Sequence, residues 1–493
     1  MSSVNNLKLN TKISLLNQIV VLISGIILPR LILVHYGSET NGLVASVNQF
    51  LAIIIFLEMG VGSVVESALY RPINENDYSK INSIMTSAKQ FFNRIALILV
   101  AYVGFLVILF PILVDSPYDY FGTVFLIIAM SISSFTQYYF GIVNQLFLNA
   151  NEKNYIPLLV AVFTTTINII ITALLIVNGF SIQLVKLLTS LLFMLKPLYL
   201  FFYVKKNYVI DFNIKDTKNS LPQKWNGAAQ HIAYTVMNST DTILLTLFST
   251  LENVSVYSVY FTIFNGLKLL ITTISVGFKS FFGNLLVKND LVEVNNYFTR
   301  IEWIIHTLVT IIFAMTSVLI NSFISLYTAG INDVNYINPI FSTILIISNA
   351  IFCLRVPYNA MIFAGGHFKE TQRSSFLEAS INIVISLILI RRMDLIGVAL
   401  GTLIATLYRT IYLVLYLSKN LTKRKISIFI KQICVNIIIF ILIIITSTLL
   451  PKDSTTYFEW IINASLLGMI SIAISLLVNF IFYKEIVVNL IKK

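Results

Sequence analysis

Along most of this chain the apolar residues come in unbroken runs of about twenty. A helix rising about 1.5 Å per residue needs that length to cross about 30 Å of hydrocarbon. Strands of a membrane barrel would alternate apolar and polar positions instead. The runs predict an all-α polytopic membrane protein with fourteen spans, the first six at 13–34, 43–69, 91–114, 120–149, 156–177 and 182–204. A polar segment, Lys205 to Lys224, follows. Six more spans are predicted at 227–250, 255–278, 301–327, 339–364, 375–390 and 396–417, and a last pair at 428–450 and 458–483. The eleventh is short for a crossing.

The polar exceptions begin in residues 26–72, which read as a helix, a turn from Tyr36 to Gly42, and a returning helix. Pro29 and Arg30 lie near the end of the first helix, and Glu58, Gly60, Gly62 and Glu66 interrupt the second. A carboxylate well inside an apolar helix costs about 2.5–3.5 kcal/mol in lipid, so it is expected to face protein or water.

Composition supports the same class: of 493 residues 57% are hydrophobic and only 11% charged, with a mean hydropathy of +0.85. Soluble domains carry about 25% charged residues. The net charge of +12 does not mark a nucleic-acid binder, because no basic surface interleaved with aromatics is visible. The basic residues instead follow the loops. With the N-terminus inside, every loop Lys and Arg falls on the cytoplasmic side except Arg391, Arg392 and Lys452. This asymmetry supports an even number of spans and two cytoplasmic termini. The run beginning at Ile13 is too long for a cleaved signal and reads as an uncleaved first span. Cys353 and Cys434 sit in apolar runs with no metal-binding spacing. No nucleotide-binding loop or catalytic constellation is present, so the expectation is a non-enzyme without cofactor or metal.

The chain also repeats itself. Ile167-Asn168-Ile169-Ile170-Ile171 recurs 214 residues later as Ile381-Asn382-Ile383-Val384-Ile385, and Ala150 and Lys205 meet Ala364 and Lys419 at the same shift. At a shift of 213, Glu39 meets Glu252, Asp77 meets Asp290 and Asn82 meets Asn295. Each copy holds six spans, so both enter the membrane in the same sense, as parallel repeats. The expected organisation is an N-terminal lobe over 1–213, a C-terminal lobe over 214–427, and an unrepeated pair with a cytoplasmic tail over 428–493.

Pro29 and Arg30 near the end of the first helix, the turn with Tyr36, Gly37, Glu39 and Gly42, the glycines Gly60 and Gly62, and the polar loop from Arg71 to Lys89 together resemble the Wzx-type polysaccharide repeat-unit flippases. The Ile-Asn-Ile repeat, the stretch from Gly397 to Thr402 and the count of six plus six plus two resemble the same family. The resemblance covers essentially the whole chain. It implies the fold shared with lipid II flippases and MATE exporters: two six-helix lobes around a central cavity lined by helices 1, 2, 7 and 8. It further implies transport of undecaprenyl-diphosphate-linked oligosaccharide from the cytoplasmic to the outer leaflet of a bacterial cell membrane. Helices 13 and 14 would then form a groove for the polyprenyl tail, and a polymerase and other assembly proteins would be partners.

A diphosphate needs cations in the cavity. Asn265, Lys268, Thr272 and Ser275 share one face of the eighth span. The seventh is unusually polar, with His231, Tyr234, Thr235, Asn238, Asp241 and Thr242. Substrate-binding candidates are Arg30, Asn265, Lys268, Arg355 and Arg409, with Glu58 and Asp241 balancing charge or coupling to an ion. Each has a plainer alternative. Arg30, Lys186, Lys196, Arg355 and Arg409 can snorkel to the headgroups, Lys268 and Asp241 can form a structural pair, Glu58 can pack protonated, and His306 can be a satisfied polar residue. Two other functions stay open: a MATE-like cation-coupled exporter, against which the acid-free first helix stands, and a non-transporting scaffold of a polysaccharide assembly complex.

Overall fold

The computed structural model describes residues 3–54, 58, 60–212, 228–287, 290–451 and 454–485. These are helical throughout, with no strand among the described residues. Among the described residues fourteen helices follow one another: α1 (3–36), α2 (38–52, resuming as Val61–Asn74), α3 (Tyr78–Leu113), α4 (Tyr120–Ala150), α5 (Tyr155–Val177) and α6 (Ile182–Asn207) come first. Then come α7 (Ala228–Phe248), α8 (Leu251–Val287), α9 (Leu291–Tyr327), α10 (Pro339–Ala364), α11 (368–393) and α12 (395–420). Last are α13 (Ile426–Ser447) and α14 (Tyr457–Phe482). Among the described residues ten helical segments are long and apolar enough to cross a membrane, which fits a multi-pass membrane protein.

Several ends differ from expectation. The turn expected over seven residues is a single non-helical glycine, Gly37, at φ 83°. Only a residue without Cβ adopts that backbone cheaply, so Ser38 to Gly42 already belong to α2. At the other kind of hairpin, Asp394 alone (φ 42°) separates α11 from α12. The short eleventh span is in fact a long helix, because Lys369 and Arg373 extend it past its apolar part. Much of the polar loop from Arg71 to Lys89 is likewise helical.

The helices α3 and α9 begin in the same way, one residue after the paired aspartates. The Asp77 carboxylate accepts from the Lys80 backbone N–H at 3.1 Å, and Asp290 accepts from those of Val292 and Glu293 at 2.9 and 3.1 Å. Both are N-caps satisfying orphan amides. The repeat seen in the sequence is therefore one of structural roles as well as of letters. Hydrogen bonding to the Lys80 side chain and backbone holds the Asp77 carboxyl below the usual carboxylate range.

The chain divides into two compact units, Met1–Ser258 and Val259–Lys493. The first holds two apolar cores, one around Met85, Phe92, Leu148 and Leu200 and the other around Leu43, Val47, Leu126 and Val185. In the second, α13 and α14 pack on α9 through Ala314, Val435, Ile439, Ile443 and Leu467. The Trp303 indole donates to Asn479 at 2.6 Å, and Arg424 pairs with the buried carboxylate of Glu302, to which the Tyr358 hydroxyl also donates. These polar links moor the unrepeated pair.

Candidate functional site

Three helices of the N-terminal unit are interrupted around one place. The helix α2 stops at Ala52 and resumes at Val61 after Gly60, whose φ is 71°, and Glu58 lies in that gap. Residues Gln137–Gly141 of α4 are wound as a π-helix, a form frequent at functional sites. The helix α6 breaks at Met194, where Pro197 has no N–H to offer the carbonyl four residues back. The three breaks border a cavity of about 650 Å³ lined by Asn48, Glu58, Gln137, Tyr138, Gln145, Thr164 and Lys196, among others. Neither the Glu58 carboxylate nor the Lys196 ammonium has an ion-pair partner or hydrogen bond among the described residues, and Gln145 Oε1 is buried without a partner. One acid, one base and several amides and hydroxyls can bind a polar solute or hold a proton. Lys196, read from sequence as a residue that could snorkel, instead lines this cavity.

In the same unit the opening hairpin is sewn to the turn between α5 and α6, to α7 and to the start of α8. Tyr36 donates to the Phe180 carbonyl at 2.5 Å, Asn41 to the hydroxyls of Ser255 and Ser258 at 2.8 and 3.2 Å, and Ser46 lies 2.7 Å from Thr246. A Cβ on Gly42 would stand 1.8 Å from the Leu251 carbonyl oxygen. Gly42 is thus needed because two backbones meet there. Asp241 is buried and accepts from the Tyr257 hydroxyl at 2.9 Å. Arg30 lies half-buried on α1. The side chains of His231, Tyr234 and Ser275 lie outside the described residues.

The C-terminal unit gathers the other candidates. Lys268 Nζ lies 5.4 Å from the centre of the Phe352 ring, and the Arg355 guanidinium stands 4.5 Å from the same ring. Arg355, at the break in α10 before Pro357, pairs with the buried Glu378. Arg409 Nε is 3.9 Å from that same carboxylate, and its guanidinium donates to the Thr371 carbonyl at 2.8 Å and to the Ser374 hydroxyl. Asn265 is half-buried on α8, less than one turn before Lys268. Snorkelling does not describe Arg355 or Arg409, because both are buried on a carboxylate. His306 is a buried residue whose Nε2 meets the Leu354 carbonyl at 2.9 Å, beside the α10 break.

The shift of 214 relates the two clusters. Tyr138 corresponds to Phe352, Gly141 to Arg355, Thr164 to Glu378 and Leu195 to Arg409. Tyr138 and Thr164 line the cavity of the first copy, and their counterparts in the second, Phe352 and Glu378, belong to the cluster around Arg355 and Arg409. Sequence reasoning missed Glu378, together with Glu302, Tyr358 and Arg424. The available signal was that both glutamates fall within predicted spans, at positions that an apolar helix does not tolerate unpaired.

No protein-family model matches the chain, and no curated protein matches it. Solved structures do. A lipid II flippase, MurJ, in an inward closed conformation aligns with a TM-score of 0.71 over 97% of this chain and 99% of its own, at 17% identity. An inward-facing multidrug resistance MATE family transporter of the MOP superfamily aligns with a TM-score of 0.61 over 85% of this chain and 98% of its own, at 16% identity. A MATE structure in a bent conformation gives 0.58 over the same shares, at 14% identity. The chain has the fold these membrane transporters share.

Proposed function

We propose that this protein flips undecaprenyl-diphosphate-linked oligosaccharide repeat units from the cytoplasmic to the outer leaflet of a bacterial cell membrane, by alternating access, for surface polysaccharide assembly. The observation that carries this reading is the reach of the likeness. With 97% of the chain aligned to a lipid II flippase, α13 and α14 are included, whereas the multidrug transporters cover 85%. A helix pair outside the duplication suits a cargo with a long polyprenyl tail, which a small drug lacks.

In this reading Lys268 and Arg355, both near the Phe352 ring, attract the diphosphate, Asn265 offers a hydrogen bond on the same helix as Lys268, and Arg30 is a further candidate cation. Arg409 shares Glu378 with Arg355, so it holds that carboxylate when Arg355 turns to substrate. Glu58 and Asp241 limit the excess positive charge of the empty state. With the cell interior negative, an anionic headgroup is favoured moving outward by about 2.3 kcal/mol per charge per 100 mV of potential crossed. Transport in reconstituted vesicles is therefore expected to rise with an inside-negative potential, and indifference to its sign would remove the electrical part.

The direct test is Lys268→Met. Loss of one charge-assisted contact, about 1.5–3 kcal/mol, predicts a fall of about ten- to a hundredfold in flipping of a lipid-linked oligosaccharide, with Lys268→Arg retaining part. Transport by Lys268→Met at the native rate would overturn the assignment. Drug resistance on overexpression without any flipping would favour the exporter instead.

A further inference from the structure

A second cavity, of about 620 Å³, lies wholly within the C-terminal unit, where α13 and α14 meet α9. Its size is that of a small-ligand site, for which about 300–1,000 Å³ is usual. It is separate from the Lys268 cluster and sits where α9 and α13 end and α14 begins, on the side whose loops are poor in basic residues.

The walls carry no charged side chain among the described residues. Ser317, Asn321 and Ser325 fall four apart, so they form one polar face of α9. Facing them are Ser447, Thr448 and Asn463. The Ser317 hydroxyl donates to the Ala314 carbonyl, Ser447 to Ile444 and Thr448 to Ile445, each at 2.7 Å. Each hydroxyl thus gives its one proton to its own helix and keeps lone pairs as acceptors. The Asn463 amide donates to the Ser454 hydroxyl at 3.1 Å. Asn321 Oδ1 is buried and accepts no hydrogen bond. Among the described residues no side-chain hydrogen bond joins the α9 stripe to the polar groups opposite. A polar interface that served packing alone would close such pairs, because a buried polar group left unpaired is costly.

We infer that this cavity binds a neutral saccharide. Uncharged walls rich in acceptors select a ligand that brings many O–H donors and no net charge. Among the described residues of the walls, an anion would find no Lys or Arg and a cation no carboxylate. Leu319, Ile444 and Leu467 offer apolar surface to the C–H faces of a sugar ring. The role of the site, holding the glycan part of the cargo at the end of α9, rests on the flippase reading above. The binding itself does not.

The test uses the full chain in phosphatidylcholine nanodiscs, because maltoside detergents would compete with a sugar probe. Saturation-transfer NMR would compare maltotriose with glucose 6-phosphate and glucosamine at millimolar concentration. Transfer to maltotriose is expected, with weaker transfer to both charged sugars. Asn321→Leu, which removes the amide and narrows the cavity, should lower maltotriose affinity about tenfold or more. Ser325→Leu at the exposed rim should lower it as well and leaves the packed core untouched, so it decides the matter where Asn321→Leu fails to fold. No transfer to maltotriose, equal transfer in both variants, or tighter binding of glucose 6-phosphate would overturn the site. Maltotriose binding in a protein that flips no lipid-linked saccharide would support the site while overturning the transport reading.

Discussion

Glu378→Gln is expected to destabilise the protein by about 3–5 kcal/mol, the largest effect of any single substitution considered for it. Glu378 is the shared counter-ion of Arg355 and Arg409, and all three side chains are buried, at 5%, 5% and 4% exposure. Neutralising it leaves two guanidinium groups in a low-dielectric interior, with the neutral Thr371 carbonyl, Ser374 hydroxyl and Phe352 ring beside them. Thermal unfolding in detergent measures the loss. Replacing the three residues together by apolar ones, Glu378→Leu with Arg355→Met and Arg409→Leu, should recover most of it, because a buried ionic cluster is often no more stable than a well-packed apolar one. The triple variant then separates stability from transport: folded but inactive is the expected result. A Glu378→Gln protein that unfolds like the native one would show that the two arginines do not depend on this carboxylate.

Gly42→Val is the second. Its Cβ would fall 1.8 Å from a backbone oxygen, that of Leu251, and a backbone atom cannot turn aside as a side chain can. The helices must separate, which breaks the hydrogen bonds of Asn41 and Ser46 to the far side of the seam. Overpacking of this kind costs about 1–3 kcal/mol. Because the strain exists only while the hairpin is closed on α7 and α8, the conformation shown here loses population, by about five- to a hundredfold, and cycling slows. Disulfide trapping between cysteines placed at Ser46 and Thr246 reads that population directly. Trapping as efficient in Gly42→Val as in the Gly42 protein would show that the seam does not resist a larger residue.

The fold was legible in the sequence to a considerable extent, for a plain reason. In lipid every backbone polar group must be satisfied within its own helix, so the apolar runs that cross are also the helices. The fourteen spans follow from that, and the alternation of basic loops checks their parity. The repeat was legible because its conserved pieces, such as Asp77 with Asp290, are local devices that need no knowledge of the partner helix. Helix ends were legible less well. Gly37 was hidden inside a turn drawn too wide, and the polar ends of α3 and α11 continue as helix where hydropathy stops reporting.

The candidate site divides along the same line. Arg355, Lys268 and Glu58 stand out in sequence because a charge in an apolar run is conspicuous by itself. Which charge meets which is a matter of how helices far apart in the chain are rotated and packed. Glu378 is inconspicuous in the sequence, near the start of a span, and α10, α11 and α12 bring it to two arginines. Lys196 was one of several intramembrane lysines until the breaks in α2, α4 and α6 put it on the wall of a cavity.

By itself, then, the sequence determined a polytopic helical membrane protein, its duplication and the unrepeated final pair, all of which rest on local hydropathy and on residues acting within their own helix. Only the tertiary structure decided that Lys196 and Glu58 line one cavity and that Arg355 and Arg409 share the carboxylate of Glu378. The physical reason is that a buried charge is tolerated through its neighbours, and those neighbours come from helices distant in the chain.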